Sequence, residues 1–269
     1  MSSRAGTVLD RIVAETRAEL ARRKRERPLP QDAARDREPS AGKRSFRDAL
    51  RGEEIGVIAE FKRRSPSAGA LRERPDVAEI VSAYERGGAV AVSVLTEGPN
   101  FEGALEDLQA ARAACGLPLL RKDFIVDPYQ LHEALAAGAD AVLLIVAALE
   151  GDQLTALYDE ARALGLDVLV EVHDRDELGI ALVLGAEIVG VNNRDLRDFS
   201  VDVERTAMLM DDVPPGVIVV SESGIAGVEQ LRRLRERGVQ AVLVGETLMR
   251  SADPAAALRA LLSERDQNI

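Results

Sequence analysis

Eight short apolar segments, each preceded by a glycine and followed by a helix-like stretch, predict an α/β fold: a (β/α)8 barrel with an N-terminal helical extension. The segments span residues 57–61, 91–95, 119–122, 141–146, 168–172, 188–192, 217–222 and 241–245. Each is near-continuously apolar rather than alternating, the pattern of strands covered on both faces. The leading glycines (Gly56, Gly88, Gly116, Gly138, Gly165, Gly185, Gly216 and Gly238) stand 20 to 32 positions apart, which leaves room for one helix and one strand per unit. An open doubly wound sheet would show two less apolar edge strands, and none of the eight reads as one.

Residues 8–24 open the chain as an amphipathic helix. Val8, Leu9, Ile12, Val13 and Leu20 recur at helical spacing, and Arg17, Arg22, Arg23 and Lys24 load the C-terminal part, where the helix dipole favours cations. This helix is expected to pack on the barrel, over its bottom or rim, rather than on a membrane surface. Residues 25–44 are charged, carry Pro28, Pro30 and Pro39, and read as a mobile connection. Ser45 then opens a short helix, with Asp48 three residues on as a near capping box. The first strand runs into Ser65-Pro66-Ser67, a stop signal, because the residue before a proline is pushed out of helical geometry. Helix-like stretches follow at 77–86, 102–114, 129–137, 153–164, 177–184, 203–210, 228–237 and 254–264. Asp76, Asp127-Pro128, Asp174 and Asp253 suit helix starts. The leading glycines suit the residue after each helix, where left-handed geometry is common. Residues 1–269 thus read as one barrel domain, with 1–52 as extension and linker and 56–269 as the core.

Composition narrows the function. Lys and Arg number 35 against 46 Asp and Glu, a formal charge of -11, which argues against nucleic acid as a partner. An anionic substrate then needs a local positive site set against that field. Aromatics make up 3% and Trp is absent, so a stacking platform for bases is not expected. The single cysteine, Cys115, excludes an intramolecular disulfide framework, fits a reducing compartment and reads as a packing residue. No stretch approaches the ~18 consecutive apolar residues of a membrane span. The N-terminus lacks the apolar core of a secretory signal. A cytoplasmic protein, monomeric or weakly homo-oligomeric, is expected.

In such barrels chemistry gathers where strands end. Strand residues alternate faces, so Ile58, Glu60 and Lys62 share one face, as do Leu120, Lys122 and Phe124, and Leu169, Glu171 and His173. A charged residue after a strand is usually solvated. Burial among these apolar neighbours would instead tune Lys122 and Glu171 for proton transfer near neutral pH. Asn192 and Arg194 follow the sixth segment. The seventh and eighth end in Ser223-Gly224 and Gly245-Glu246, small residues at the place where barrels bind phosphate through backbone N–H groups. Residues 247–250 fit a short helix there. The set is an acid–base constellation rather than a nucleophile triad: no Ser or Cys has an evident His partner, and His132 and His173 read as structural. There is no Cys/His metal spacing, and lysines at the same rim argue against a carboxylate-held cation. Neither a metal nor another cofactor is expected.

These residues resemble the indole-3-glycerol phosphate synthase family. The matching stretches are Ile58-Ala59-Glu60-Phe61-Lys62-Arg63-Arg64-Ser65-Pro66-Ser67, Leu120-Arg121-Lys122-Asp123-Phe124-Ile125-Val126-Asp127, Val170-Glu171-Val172-His173, Gly190-Val191-Asn192-Asn193-Arg194-Asp195-Leu196 and Ser221-Glu222-Ser223-Gly224-Ile225. Val8-Leu9-Asp10-Arg11-Ile12-Val13 is similar to the family's extra N-terminal helix. The resemblance implies a (β/α)8 barrel and a cofactor-independent reaction of tryptophan biosynthesis. Its substrate is 1-(2-carboxyphenylamino)-1-deoxy-D-ribulose 5-phosphate, which is cyclised, decarboxylated and dehydrated to indole-3-glycerol phosphate.

Under that resemblance, charge suggests roles. Lys122 is the general acid toward the substrate carbonyl oxygen. Glu171 is the base, or stabilises positive charge on the anilino nitrogen. Lys62 binds the carboxylate or phosphate and delivers the proton that expels water, while Glu60 orients it and takes part in dehydration. How proton transfer divides between Lys62 and Lys122 stays open at this point. Ser65 and Asn192 hold carboxylate or hydroxyl groups, with Arg194 nearby. Phe124 and Leu243 wall the aromatic ring. Ser223, Gly224, Gly245 and Glu246 contact the phosphate, the last through its backbone. Two competing readings are a phosphoribosylanthranilate isomerase and a non-catalytic phosphate-ligand barrel. The first needs a Cys/Asp pair, yet Cys115 precedes the third strand rather than leading the first. The second conflicts with so many buried charges.

Overall fold

The structure, a computed structural model, describes residues 7–28, 44–66, 68–195, 200–225 and 227–263. Most of the expected connection over 25–44, from 29 to 43, lies outside the described residues, as does Ser67.

Strand β1 (Gly56–Phe61) is followed by a small hairpin, β2 (Arg64–Ser65) and β3 (Gly69–Ala70). The chain continues through β4 (Ala91–Leu95), β5 (Leu119–Lys122), β6 (Ala141–Ile145), β7 (Asp167–Val172), β8 (Ile188–Asn192), β9 (Ile218–Glu222) and β10 (Ala241–Val244). The order β1-β10-β9-β8-β7-β6-β5-β4 closes on itself, with Glu60 of β1 opposite Ser93 of β4 and every barrel pair parallel. The eight apolar segments are therefore the eight staves, within a residue at each end. The hairpin corrects the expected irregular loop after β1. Ser65 pairs with Gly69, whose φ of 67° supplies the left-handed turn residue, and the Ser65 Oγ accepts the Ala68 N–H at 3.1 Å.

Helices alternate with the staves: α3 (Val77–Gly87), α4 (Leu105–Ala114), α5 (Pro128–Ala137), α6 (Gly151–Ala163), α7 (Arg175–Val183), α8 (Arg205–Leu209), α9 (Val228–Glu236), α10 (Glu246–Arg250) and α11 (Pro254–Leu262). Asp76, Asp127, Asp174 and Asp253 each accept a hydrogen bond from a first-turn N–H, which satisfies a donor the helix cannot pair internally. Most of the leading glycines have the expected positive φ, Gly88 and Gly138 among them, but Gly56 and Gly116 do not. Gly56 is instead a strand residue, where a Cβ would press on Val90 at 2.8 Å.

The extension divides between the two ends of the barrel. Helix α2 (Phe46–Ala49) plugs the bottom: the Arg47 N–H donates to Asp167 at the start of β7, and its guanidinium meets Glu187 just before β8. Phe46 and Leu50 join the inward-facing cluster of Ile58, Leu120, Leu169, Ile188 and Val220. Helix α1 (Val8–Glu26) lies across the opposite rim. Its Glu15 accepts from Asn100 beyond β4, Arg23 pairs with Glu133 at 2.6 Å, Lys24 with Asp127 at 2.6 Å, and Arg17 donates to Gln153. Among the described residues no helix is long and apolar enough to cross a membrane.

Candidate active site

Along the inner wall, apolar residues give way to charged ones two positions later, at the C-terminal ends of the strands. Ile58 leads to Glu60, Leu120 to Lys122, Leu169 to Glu171 and Val220 to Glu222. The period of two that turns the apolar side chain inward turns its charged successor inward too. The three carboxylates are almost fully buried, at 3%, 2% and 1% exposure for Glu60, Glu171 and Glu222.

Burial on this scale demands partners. The Lys122 Nζ lies 3.3 Å from both Glu171 Oε2 and Glu222 Oε2. Glu171 Oε1 accepts from Asn192 Nδ2 at 3.1 Å and lies 3.4 Å from His173 Nε2. The Asn192 Oδ1 in turn accepts from Ser223 Oγ at 2.9 Å and from the Arg194 N–H at 3.0 Å. Across the mouth, Lys62 Nζ and Glu60 Oε2 pair at 2.7 Å. Two close approaches make room for these carboxylates. A Cβ at Gly190 would overlap the Glu222 carboxylate, and one at Gly245 would overlap that of Glu60.

Electrostatics separate the roles of these groups. Burial opposes the charge of Lys122, but Glu222, Glu171 and Glu60 outweigh it and hold the ammonium well above the usual lysine range. Burial likewise opposes ionisation of Glu171, yet Lys122, His173 and Asn192 hold it well below the carboxylate range. Burial dominates at Glu222: with Glu171 and Glu60 adding repulsion, its carboxyl is pushed up to about 7 in spite of Lys122. His173 loses solvent, which disfavours its charge. Glu171 and Glu177 reverse the sign and raise it to about 10.

These groups surround one cavity of about 430 Å³. All thirteen candidate residues line it: Glu60, Lys62, Lys122, Glu171 and Asn192 in its polar floor, Ser65, Phe124, Arg194 and Leu243 in its walls, and Ser223, Gly224, Gly245 and Glu246 at the end formed by β9 and β10. At that end Ser223 and Gly224 both have left-handed backbones, with φ of 67° and 79°. For a serine that conformation carries strain of order 1 kcal/mol, the kind that clusters at working sites. Residues 246–250 form the expected short helix, and the Glu246 carboxylate is drawn to Arg250 Nε at 3.1 Å.

Of the further lining residues that the sequence-derived set missed, Glu222, Phe101 and Arg250 bear most on the chemistry. Glu222 obeys the same alternation that marks Lys122, through Ile218 and Val220. Phe101 carries no strand signal. It reaches the wall because its N–H and that of Asn100 both donate to the buried Glu97, and its ring packs on Phe124 with centroids 6.3 Å apart. His132 pairs with Glu160, as befits a structural residue, whereas His173 stands behind Glu171 and backs the site.

Fold and site define a (β/α)8 barrel with a cluster of paired carboxylates and lysines and a small-residue rim at the C-terminal ends of its strands. The family model described as indole-3-glycerol phosphate synthase matches residues 9–261, and the chain belongs to that family. It is 49% identical over 258 residues to "Indole-3-glycerol phosphate synthase 2" of Streptomyces coelicolor, covering 95% of this chain and 98% of that one. It is also 49% identical to the "Indole-3-glycerol phosphate synthase" of Aromatoleum aromaticum, over 94% of this chain and 98% of the relative. Among solved structures, a thiamine phosphate pyrophosphorylase from Pyrococcus furiosus superposes with a TM-score of 0.59 at 20% identity, over 81% of this chain and 96% of that chain. A mutant tryptophan synthase alpha-subunit from a hyperthermophile, Pyrococcus furiosus, superposes with a TM-score of 0.60 at 16% identity, over 77% of this chain and 98% of that chain. These last two likenesses speak for the fold alone.

Proposed function

We propose that the cavity closes the indole ring of 1-(2-carboxyphenylamino)-1-deoxy-D-ribulose 5-phosphate, in tryptophan biosynthesis, releasing carbon dioxide and water with indole-3-glycerol phosphate. The observation that carries this is Lys122, a largely desolvated ammonium open to the cavity and held between two buried carboxylates in the floor. The aryl carbon that bears the carboxylate attacks the ribulose carbonyl. Lys122 donates its proton to the carbonyl oxygen as negative charge develops there. Carbon dioxide leaves, and its bonding pair restores the aromatic ring. Glu171, held ionised, stabilises positive charge at the anilino nitrogen. Lys62 then protonates the departing hydroxyl while the adjacent carbon loses a proton to Glu60, its partner. The steps balance without an oxidant or reductant.

Asn192, Ser65 and Arg194 orient the substrate's hydroxyl and carboxylate groups. Phe124, Leu243 and Phe101 form the apolar wall for its ring. The phosphate sits against the backbone of Ser223, Gly224, Gly245 and Glu246. Glu246 presents its N–H while its carboxylate turns to Arg250, which adds a cation to that end. On this reading the chain acts as a single domain in the cytoplasm on a small phosphorylated substrate. Single-turnover indole fluorescence with the purified protein tests it, with Lys122→Ala as the comparison. The wild type should form the indole product, and the variant should lose about 10²–10⁴ in kcat with a much smaller change in binding. Absence of indole product from the wild type overturns the assignment.

A further inference from the structure

Arg121 has no exposed surface and points away from the cavity, and the reaction above makes no use of it. Successive strand residues face opposite ways, so Arg121 lies behind β5 where Lys122 lies in front. Its guanidinium is almost saturated with acceptors. Nε donates to Thr96 Oγ1 at 3.0 Å, Nη1 to the Gln130 carbonyl at 2.7 Å, and Nη2 to Asp123 Oδ2 at 2.8 Å. Both Nη atoms lie 3.4 Å from Glu133 Oε2. Thr96 Oγ1 donates to the same Asp123 oxygen at 2.7 Å, while Asp123 Oδ1 takes the Phe124 N–H at 2.9 Å. Gln130 closes the loop, donating to the Phe124 carbonyl and accepting the Val126 N–H, each at 2.9 Å. The last partner comes from the N-terminal helix, where Arg23 Nη1 meets both oxygens of Glu133 at 2.8 and 2.6 Å. Two guanidinium groups thus balance two carboxylates, and the chain of contacts runs from α1 to the residues on either side of Lys122.

We propose that Arg121 is a positioning residue for Lys122 and Phe124, anchored through Glu133 to Arg23 of the N-terminal helix; this rests on Lys122 being the acid of the reaction above. A buried ion network is seldom more stable than well-packed apolar residues of the same volume, so stability alone does not explain it. Positional precision does. Lys122 must keep its ammonium within reach of Glu171 and Glu222 and of the substrate carbonyl, and a displacement of about 1 Å at a reacting group costs on the order of 10²-fold in rate. The planar fork of Arg121 fixes the ends of β4 and β5 and the start of α5 at once. A lysine in its place offers a single point charge that reaches fewer of those acceptors. The N-terminal helix is thereby wired to the acid–base centre through charge as well as through packing.

The test measures kcat, KM and the pH profile of kcat for Arg121→Lys, Thr96→Val and Arg23→Gln, beside the wild type, each normalised to its folded fraction by circular dichroism. Arg121→Lys should lower kcat about 10²-fold. The two outer variants should lower it about three- to tenfold, with KM within about twofold in all three, because the loss lies in placing the acid. The limb of the profile that reports Glu222, a carboxyl already pushed up to about 7 without substrate and higher beside the bound anion, should also move upward, since a displaced Lys122 stabilises that carboxylate less while Glu171 and Glu60 still face it. A role in folding alone would lower the folded fraction and leave the normalised profile in place, which overturns the proposal. So do folded variants with wild-type kcat. If Arg121→Lys does not fold, Thr96→Val, nearly isosteric and lacking only the bridging hydroxyl, decides by the same criteria. A wild type that forms no indole overturns the function itself, whereas an active wild type with unchanged variants overturns only the role of Arg121.

Discussion

Glu222→Gln separates the effect of burial from that of charge at the centre of the site. The carboxyl ordinarily titrates at 4.5, and burial beside Glu171 and Glu60 pushes it up to about 7 in the folded protein. At about 1.4 kcal/mol per pH unit, that displacement is worth about 3 kcal/mol. The sign follows from proton binding. Between pH 4.5 and 7 the folded state holds a proton on Glu222 that the unfolded chain has released, so raising the pH pulls the equilibrium toward unfolding. The stabilisation is complete below 4.5 and lost as the pH passes 7. A glutamine keeps the shape, can still accept a hydrogen bond from Lys122, and cannot titrate. Urea unfolding of both proteins at half-unit steps from pH 4 to 8 reads the difference. The wild type should lose about 3 kcal/mol relative to Glu222→Gln across this window. Other titrations fall elsewhere or act on both proteins. Glu171 is depressed, so its contribution is lost only as the pH falls below its ordinary 4.5. His173, raised to about 10, contributes fully below 6.5 and loses that contribution as the pH rises toward 10. Stability curves that run parallel from pH 4.5 to 7.5 would refute the claim that burial governs Glu222.

Two further substitutions probe the opposite ends of the cavity. Gly245→Ala drives a methyl group into the Glu60 carboxylate, breaking its pairing with Lys62, so kcat should drop by about 10²-fold in a protein that still folds; steady-state kinetics with wild-type turnover would remove Glu60 from the reaction. Arg250→Gln deletes a cation from the phosphate end, and should raise both KM and the inhibition constant of inorganic phosphate about tenfold, the equivalent of ~1.4 kcal/mol, at unchanged kcat.

The barrel was legible because its signals are local and repeated. An apolar run, a helical stretch and a glycine recur eight times, and burial of every run is satisfied only by closure. Lys122 and Glu171 were legible because polar residues in step with inward apolar ones face the same cavity. Glu222 follows that rule equally well, yet on the page it lies inside Ser221-Glu222-Ser223-Gly224, where a turn reading competes with a strand reading. What could not be read depends on contacts between distant parts of the chain. Ser65-Pro66 looked like a stop because the pairing of Ser65 with Gly69 depends on a turn closing around Pro66. Phe101 reaches the cavity only through the carboxylate of Glu97. That α1 lies across the rim while α2 plugs the bottom rests on Arg23 meeting Glu133 and Arg47 meeting Asp167, pairings separated by 110 and 120 positions.

The charge balance of the floor ties these observations to the chemistry. With all groups ionised, Glu60, Glu171 and Glu222 exceed Lys62 and Lys122 by one negative charge, the cationic His173 behind Glu171 being offset by Glu177 at 3.0 Å. That excess falls on the carboxylate whose burial is least compensated, Glu222, and so this group, rather than Glu171, titrates at about 7. The proposed substrate arrives with a carboxylate and a phosphate, and nearby negative charge raises a carboxyl pKa further. Binding therefore favours a proton on Glu222, 3.3 Å from Lys122. The proposed mechanism needs one. Loss of the carboxylate as carbon dioxide leaves the former carbonyl oxygen with a proton taken from the enzyme, and the later dehydration consumes and returns a proton in equal measure. Each turnover thus takes up one proton net. A lysine held well above its usual range cannot regain that proton from a neighbour unless the neighbour holds one near neutral pH, and Glu222 is the adjacent group placed to do so. Glu222→Gln should accordingly slow recharging of Lys122 more than the first ring closure. The expected result is a near-normal single-turnover burst of indole followed by a depressed steady state; equal slowing of both phases would show that Glu222 acts in ring closure itself.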